Sequence, residues 1–223
     1  MIRFFRNFFA PKKRNYPDFW MDYAEQFENG QPTTLADIRF VVFDTETTGL
    51  DLEKDRILSI GALSLQNDSI DIDSSFEIFL DQEFYHAGNI AIHGILRDEI
   101  QPRISEIEAL RLLLDYIGNC ILVAHHASFD RAMIDRALKR HGMPRLQNRF
   151  LDTSALYKRT LISSALLQKK DQYSLDELAE KFDIPVKDRH TALGDAYITA
   201  IAFLKIMGRL KVKDGFLVKR LFK

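Results

Sequence analysis

Phe40-Val41-Val42-Phe43-Asp44-Thr45-Glu46-Thr47-Thr48-Gly49-Leu50 is the stretch on which the reading of this chain turns. Its apolar, β-branched start predicts a buried strand, and Gly49 punctuates a turn beyond it. Residues two apart on a strand share a face, so Asp44 and Glu46 project together while Thr45 faces away. Adjacent anions on an apolar element repel one another and resist burial unless a cation lies between them. An isolated Asp-x-Glu is commonly just a solvated strand end, so the pair takes its meaning from the rest of the chain.

Working outward, Ile57 to Leu65 and Ile70 to Leu80 read as β-rich runs joined by Gln66-Asn67-Asp68-Ser69, a hairpin pattern. Three sequential antiparallel strands are therefore expected. Residues 104–117 carry apolar positions at Ile104, Ile107, Leu110, Leu114 and Ile117, an amphipathic helix closed by Gly118. A strand at 120–124, a helix at 129–141, a short strand at 149–152 and helices near 154–161, 174–182 and 191–207 follow. Such strand–helix alternation implies parallel strands with crossover helices. The expected fold class is α/β, a mixed sheet with helices on both faces. Near the N-terminus, Phe19, Trp20, Tyr23 and Phe27 recur at helical spacing over 17–28, a pattern of core contacts.

Two further clusters resemble chemistry in waiting. Ala124-His125-His126-Ala127-Ser128-Phe129-Asp130 stands at the carboxyl end of a predicted strand, where α/β sheets bind ligands. Asp130 there is also a natural first-turn acid complementing the helix dipole. His190-Thr191-Ala192-Leu193-Gly194-Asp195-Ala196 opens the last helix, with Thr191 a suitable N-cap. Asp195 then lies about a turn inside an otherwise apolar helix, and His190 can converge on it only from a position before the helix.

Composition bounds the rest. The 223 residues carry 46% hydrophobic side chains, enough for a core, and a formal net charge of −1. That balance hides an asymmetry: residues 1–14 hold five basic side chains and no acid, and residues 205–223 hold seven basic side chains with only Asp214 opposing them. An acidic centre between basic ends suits a cation-filled site flanked by phosphate-attracting arms, although solvated tails would look the same. The single cysteine, Cys120, excludes an intrachain disulfide and a cysteine-based zinc site. A reducing, cytoplasmic setting is expected. The charge-interrupted run Phe4, Phe5, Phe8 and Phe9 does not read as a signal peptide and suits a protein partner's groove or the protein's own flank better than a membrane surface.

Together F-D-T-E-T-T-G-L at 43–50, H-x-A-x-F-D at 125–130 and H-x-A-L-x-D-A at 190–196 resemble the three exonuclease motifs of the DnaQ-like family, a branch of the ribonuclease H-like superfamily. Ile92-His93-Gly94-Ile95, Asp152-Thr153 and Ser174-Leu175-x-x-Leu178 match in the expected order, and the likeness spans about residues 38–207. The expected division is therefore an exonuclease domain (35–207), with an N-terminal extension carrying a short helix (1–34) and a basic C-terminal tail (208–223) outside the resemblance.

The resemblance further implies that Asp44, Glu46, Asp130 and Asp195 hold two divalent cations, Mg²⁺ or Mn²⁺, with His190 as the base that activates water. It implies that Thr47, Thr48, Gly49 and Leu50, with His93, His126 and Phe129, contact the terminal nucleotide. The reaction would be 3′–5′ removal of nucleoside monophosphates from DNA, as in proofreading subunits, with a DNA polymerase or another replication or repair protein as partner. An RNA or oligoribonucleotide exonuclease, or a non-catalytic nucleic-acid- or polymerase-binding module, are the alternatives. One departure stands out: His126 occupies a position that is usually Asn.

Overall fold

The computed structural model describes residues 16–28, 30, 32, 34–82, 102–161, 170–211 and 218–222. Residues 1–14 and His93, on which the basic arm and one nucleotide contact were expected, lie outside the described residues.

A six-stranded sheet forms the centre, with β1 (Phe40–Thr47), β2 (Ile57–Gln66), β3 (Ser69–Leu80), β4 (Arg103–Ile104), β5 (Ile121–Ala124) and β6 (Phe150–Asp152) in the order β4-β3-β2-β1-β5-β6. The first three strands pair antiparallel, whereas β5 joins β1 and β6 joins β5 in parallel. The mixed α/β sheet expected from the sequence is the one observed.

Alternation along β1 explains why it sits centrally. Val41 and Phe43 face an apolar layer made with helices α2 (Glu106–Ile117) and α3 (Ser128–Arg140). Phe40 and Val42 face the opposite layer, completed by α4 (Thr153–Thr160), α5 (Leu175–Phe182) and α6 (Ala192–Lys211). A strand covered on both sides must be apolar on both, and β2 likewise has a buried residue at every position but its last. The predicted helix 104–117 starts slightly later, because Arg103 and Ile104 pair with Phe79 and Leu80 of β3. Ser105 then caps α2 by accepting from Glu108 N. A capping box between Ser174 and Glu177 starts α5.

Helix α1 (Asp18–Glu25) packs on the layer of α2 and α3, burying Trp20 and Tyr23 almost completely. Its anchor is polar. Tyr23 Oη donates to Asn148 Oδ1 at 2.5 Å and accepts from Gln147 N, while Asn148 Nδ2 donates to the carbonyls of Gly118 and Cys120. A buried amide with each of these groups engaged ties α1 to the sheet as firmly as its rings do. At the other end of the chain, a 3-10 turn over Val218–Phe222 buries Val218 and Leu221 in the opposite layer, and Arg159 donates to the carbonyls of Arg220 and Leu221. Among the described residues no helix is long and apolar enough to cross a membrane.

Candidate nuclease site

Asp44 and Glu46 continue the face of Phe40 and Val42, the side over which α6 lies. The strand pairing sets Asp44 directly opposite Gly61 of β2. A Cβ on Gly61 would come within 2.2 Å of Leu193 N and 2.3 Å of Ala192 C, so only glycine lets the first turn of α6 rest on the sheet there. That approach carries Asp195 to the β1 acids. Asp44, Glu46 and Asp195 each offer a carboxylate oxygen within 4.8 Å of the others, a donor set able to share a metal ion.

Asp130 reaches the same region from the other side of the sheet. It is buried in the first turn of α3, where its Oδ1 accepts from Thr45 N at 3.0 Å and from Thr45 Oγ1 at 2.7 Å. The residue between the two β1 acids, facing away from them, thus holds the carboxylate of the next motif. Asp130 lies outside the three-acid group but its charge is felt by it.

The electrostatics are those of a site short of positive charge. Burial, and then the carboxylates of Asp130, Asp195 and Glu46, hold Asp44 well above the usual range. Burial followed by Asp195 and Asp130 pushes Glu46 up to about 8. Burial lifts Asp130 to about 7 against the opposing hydrogen bonds from Thr45. Hard oxygen ligands with no thiolate suit a hard divalent cation, whose charge would reverse each of these shifts. The residues present therefore fit such an ion.

His190 precedes α6, as the Thr191 cap permits: Thr191 Oγ1 accepts from Gly194 N and Thr191 O from Asp195 N. Its side chain is exposed, its φ is 64°, and its backbone N donates to Asp195 Oδ1 at 3.3 Å. Sequence reasoning missed the neighbour. Arg189 forms ion pairs with Asp195 and with Asp176 of α5. A lone arginine in a polar loop carries no signal of such a partner.

The turn after β1 is knotted by Asp55, another residue the sequence did not single out. Its carboxylate accepts from Thr48 Oγ1 and from Asp51 N, and Thr48 Oγ1 in turn accepts from Arg56 N. A Cβ at Gly49 would meet Asp55 Oδ2 at 2.4 Å, so the glycine is required by the loop's own closure, in keeping with the turn expected there. Thr47 Oγ1 donates to Gly49 O, and Leu50 is left 81% exposed at the tip.

His125 is buried against Thr153, its Nδ1 2.8 Å from Thr153 Oγ1, and burial lowers its pKa to about 4. His126, the departure from the usual Asn, has a φ of 57°. Asn and His are both enriched in that left-handed region, so the exchange keeps the backbone turn. Asp152 secures it, accepting from Ala127 N on one oxygen and capping α4 through Ala155 N with the other. Phe129 is half-buried against the α2–α3 layer.

Residues 41–203 match the model of the exonuclease family called RNase T. Among curated proteins, the chain is 34% identical over 183 residues to the PolC-type DNA polymerase III of Caldanaerobacter subterraneus subsp. tengcongensis, covering 82% of this chain and 12% of that protein. It is 32% identical over 182 residues to the PolC-type DNA polymerase III of Staphylococcus aureus, covering 81% of this chain and again 12% of the relative. This chain thus spans about an eighth of the length of these relatives. Exonuclease X in complex with 5′-overhanging duplex DNA shares the fold with a TM-score of 0.59 and 22% identity, over 82% of this chain and 96% of that one. Escherichia coli exonuclease I in complex with a dA16 oligonucleotide gives a TM-score of 0.65 at 16% identity, over 83% and 42%.

Proposed function

Given that this chain belongs to the exonuclease family, we propose that it removes nucleotides from the 3′ ends of DNA, on single strands or frayed ends, in a polymerase-associated or repair setting. The observation that carries this is the convergence of Asp44, Glu46 and Asp195 within 4.8 Å, with Asp130 pinned at their border by Thr45. Three carboxylates within reach of one ion, with the charge of a fourth felt beside them, are costly in a bare protein and useful only when cationic charge is supplied.

Two divalent cations, Mg²⁺ or Mn²⁺, would be held by Asp44, Glu46, Asp195 and Asp130, supplying charge stabilisation to an in-line phosphodiester displacement. The protein's own part is distinct. His190, exposed beside Asp195, takes the proton of the attacking water. Thr47, Thr48, Gly49 and Leu50 form a prefolded ledge for the terminal nucleotide, with His126, Phe129 and His93 as further contacts. Thr45 keeps Asp130 from drifting toward a protonated, rotated state by donating two hydrogen bonds to one oxygen.

The test uses matched DNA and RNA strands labelled at either end, with Mg²⁺ or Mn²⁺, and Asp44→Asn as control. Release of 3′-terminal monophosphates from DNA, abolished by chelator and by Asp44→Asn, is expected. Cleavage undiminished in excess chelator, or starting from the 5′ end, refutes the reading, and faster release from RNA moves it to the other nucleic acid.

A further inference from the structure

The acid cluster already has a cation on it. Arg189 pairs through Nη1 with Asp195 Oδ2 and through Nε with Asp176 Oδ1 at 2.7 Å, and only 16% of its side chain is exposed. His190 N engages the other oxygen of Asp195. Consecutive residues of one loop therefore occupy both oxygens of a carboxylate that a divalent ion would need. The loop is bent to do so, since Asp188 and His190, on either side of Arg189, both have left-handed φ values of 60° and 64°. Asp176 differs from Asp195 in one respect that matters: its side chain is 66% exposed, so a guanidinium left on it alone stays comfortably solvated.

A guanidinium and a dication cannot share Asp195 Oδ2, because like charges at contact distance repel strongly in a half-buried site. The planar fork of arginine lets it bridge two carboxylates and release one, which a point-charge ammonium does less well. We propose that Arg189 is a resident counter-cation: it spans Asp195 and Asp176 in the metal-free protein, and yields Asp195 while keeping Asp176 when a divalent cation enters. It is a positioning residue, holding the acids and the His190 loop in order before the ion arrives and setting the ion's affinity below that of bare carboxylates. The inference rests on the divalent-cation reading of the site.

Titration of the full chain with Mn²⁺ alone, without nucleic acid, followed by electron paramagnetic resonance, tests it. Arg189→Gln should bind Mn²⁺ about five- to tenfold tighter, the equivalent of one ordinary ion pair no longer to be broken. The same variant should lower the melting temperature of the metal-free protein more than that of the Mn²⁺-loaded protein. Asp176→Asn should weaken Mn²⁺ binding, because the displaced guanidinium loses its second partner. In Asp176→Asn/Arg189→Gln that weakening should vanish, since Asp176 acts only through Arg189. Unchanged or weaker binding by Arg189→Gln, or an Asp176→Asn loss that persists in the double variant, overturns the proposal while leaving the divalent-cation reading intact. A wild-type chain that binds no Mn²⁺ removes both.

Discussion

Replacing Glu46 with Gln removes one charge from the acid cluster and leaves its shape, so its effect on the metal-free protein follows from the electrostatics alone. Glu46 is raised from 4.5 to about 8. A carboxyl raised in the fold contributes its full stability below pH 4.5, where both states are protonated, and loses it as pH climbs through 8. The ceiling on that loss is about 5 kcal/mol at 1.36 kcal/mol per pH unit. Solvent screening on the open side of the site reduces it to about 1–3 kcal/mol. For a chain of this size Glu46→Gln should therefore melt roughly 2–10 °C higher than wild type at pH 8 in excess chelator. By pH 5 most of the advantage should be gone, because wild-type Glu46 is then protonated in the fold. Saturating Mn²⁺ should invert the order. Paired thermal melts at pH 5 and pH 8 measure all three, and a variant no more stable at pH 8, or equally stabilised at both, would refute the repulsion argument.

His190→Ala should depress turnover by about 10²–10⁴-fold while Mn²⁺ affinity stays within a small factor, if the imidazole acts on water as proposed and is not a ligand; lost Mn²⁺ binding would reassign it to the coordination shell. Gly61→Ala forces the first turn of α6 off the sheet, so we expect about 1–3 kcal/mol of destabilisation and a turnover loss on the order of 10²-fold in a protein that still folds; wild-type kinetics would show that Asp195 does not depend on this contact. Tyr23→Phe strips a hydroxyl from the buried Asn148 network and should cost about 1–3 kcal/mol in thermal melts with activity unchanged. A drop in activity without loss of stability would instead link α1 to the nucleic-acid surface.

Much of this architecture was legible because it is written in local periodicity. The Phe40–Thr47 strand, the same-face acids, the hairpin through Asn67-Asp68 and the Thr191 cap all follow from spacings of a few residues. The aromatic spacing in 17–28 correctly announced core contacts for Trp20 and Tyr23. Illegible features depend on residues far apart in the chain or on unremarkable side chains. Tyr23 meets Asn148 across 125 positions, and no pattern in either neighbourhood hints at the other. Arg189 is one charged loop residue among several until α5 and α6 converge on it. Gly61 is an intermediate case, since an isolated glycine inside a strand does signal a close backbone approach, though not what approaches. Asp130 reads from its place in the chain as a helix-dipole acid or a ligand, while the two hydrogen bonds it accepts from Thr45 join residues 85 positions apart and have no local signature.

The loop closed by Asp55 has a thermodynamic consequence of its own. Thr48 and Asp51 are fixed on one carboxylate and Arg56 is tied to it through the Thr48 hydroxyl, so Leu50 is held in water by a scaffold that needs no partner to order it. A base that comes to lie on Leu50 meets an apolar surface whose conformational entropy was surrendered when the chain folded. Calorimetry of oligonucleotide binding should then register the heat-capacity decrease of apolar burial without the large opposing entropy of loop ordering. Loosening the knot with Asp55→Ala should restore that entropic cost and weaken association chiefly through it.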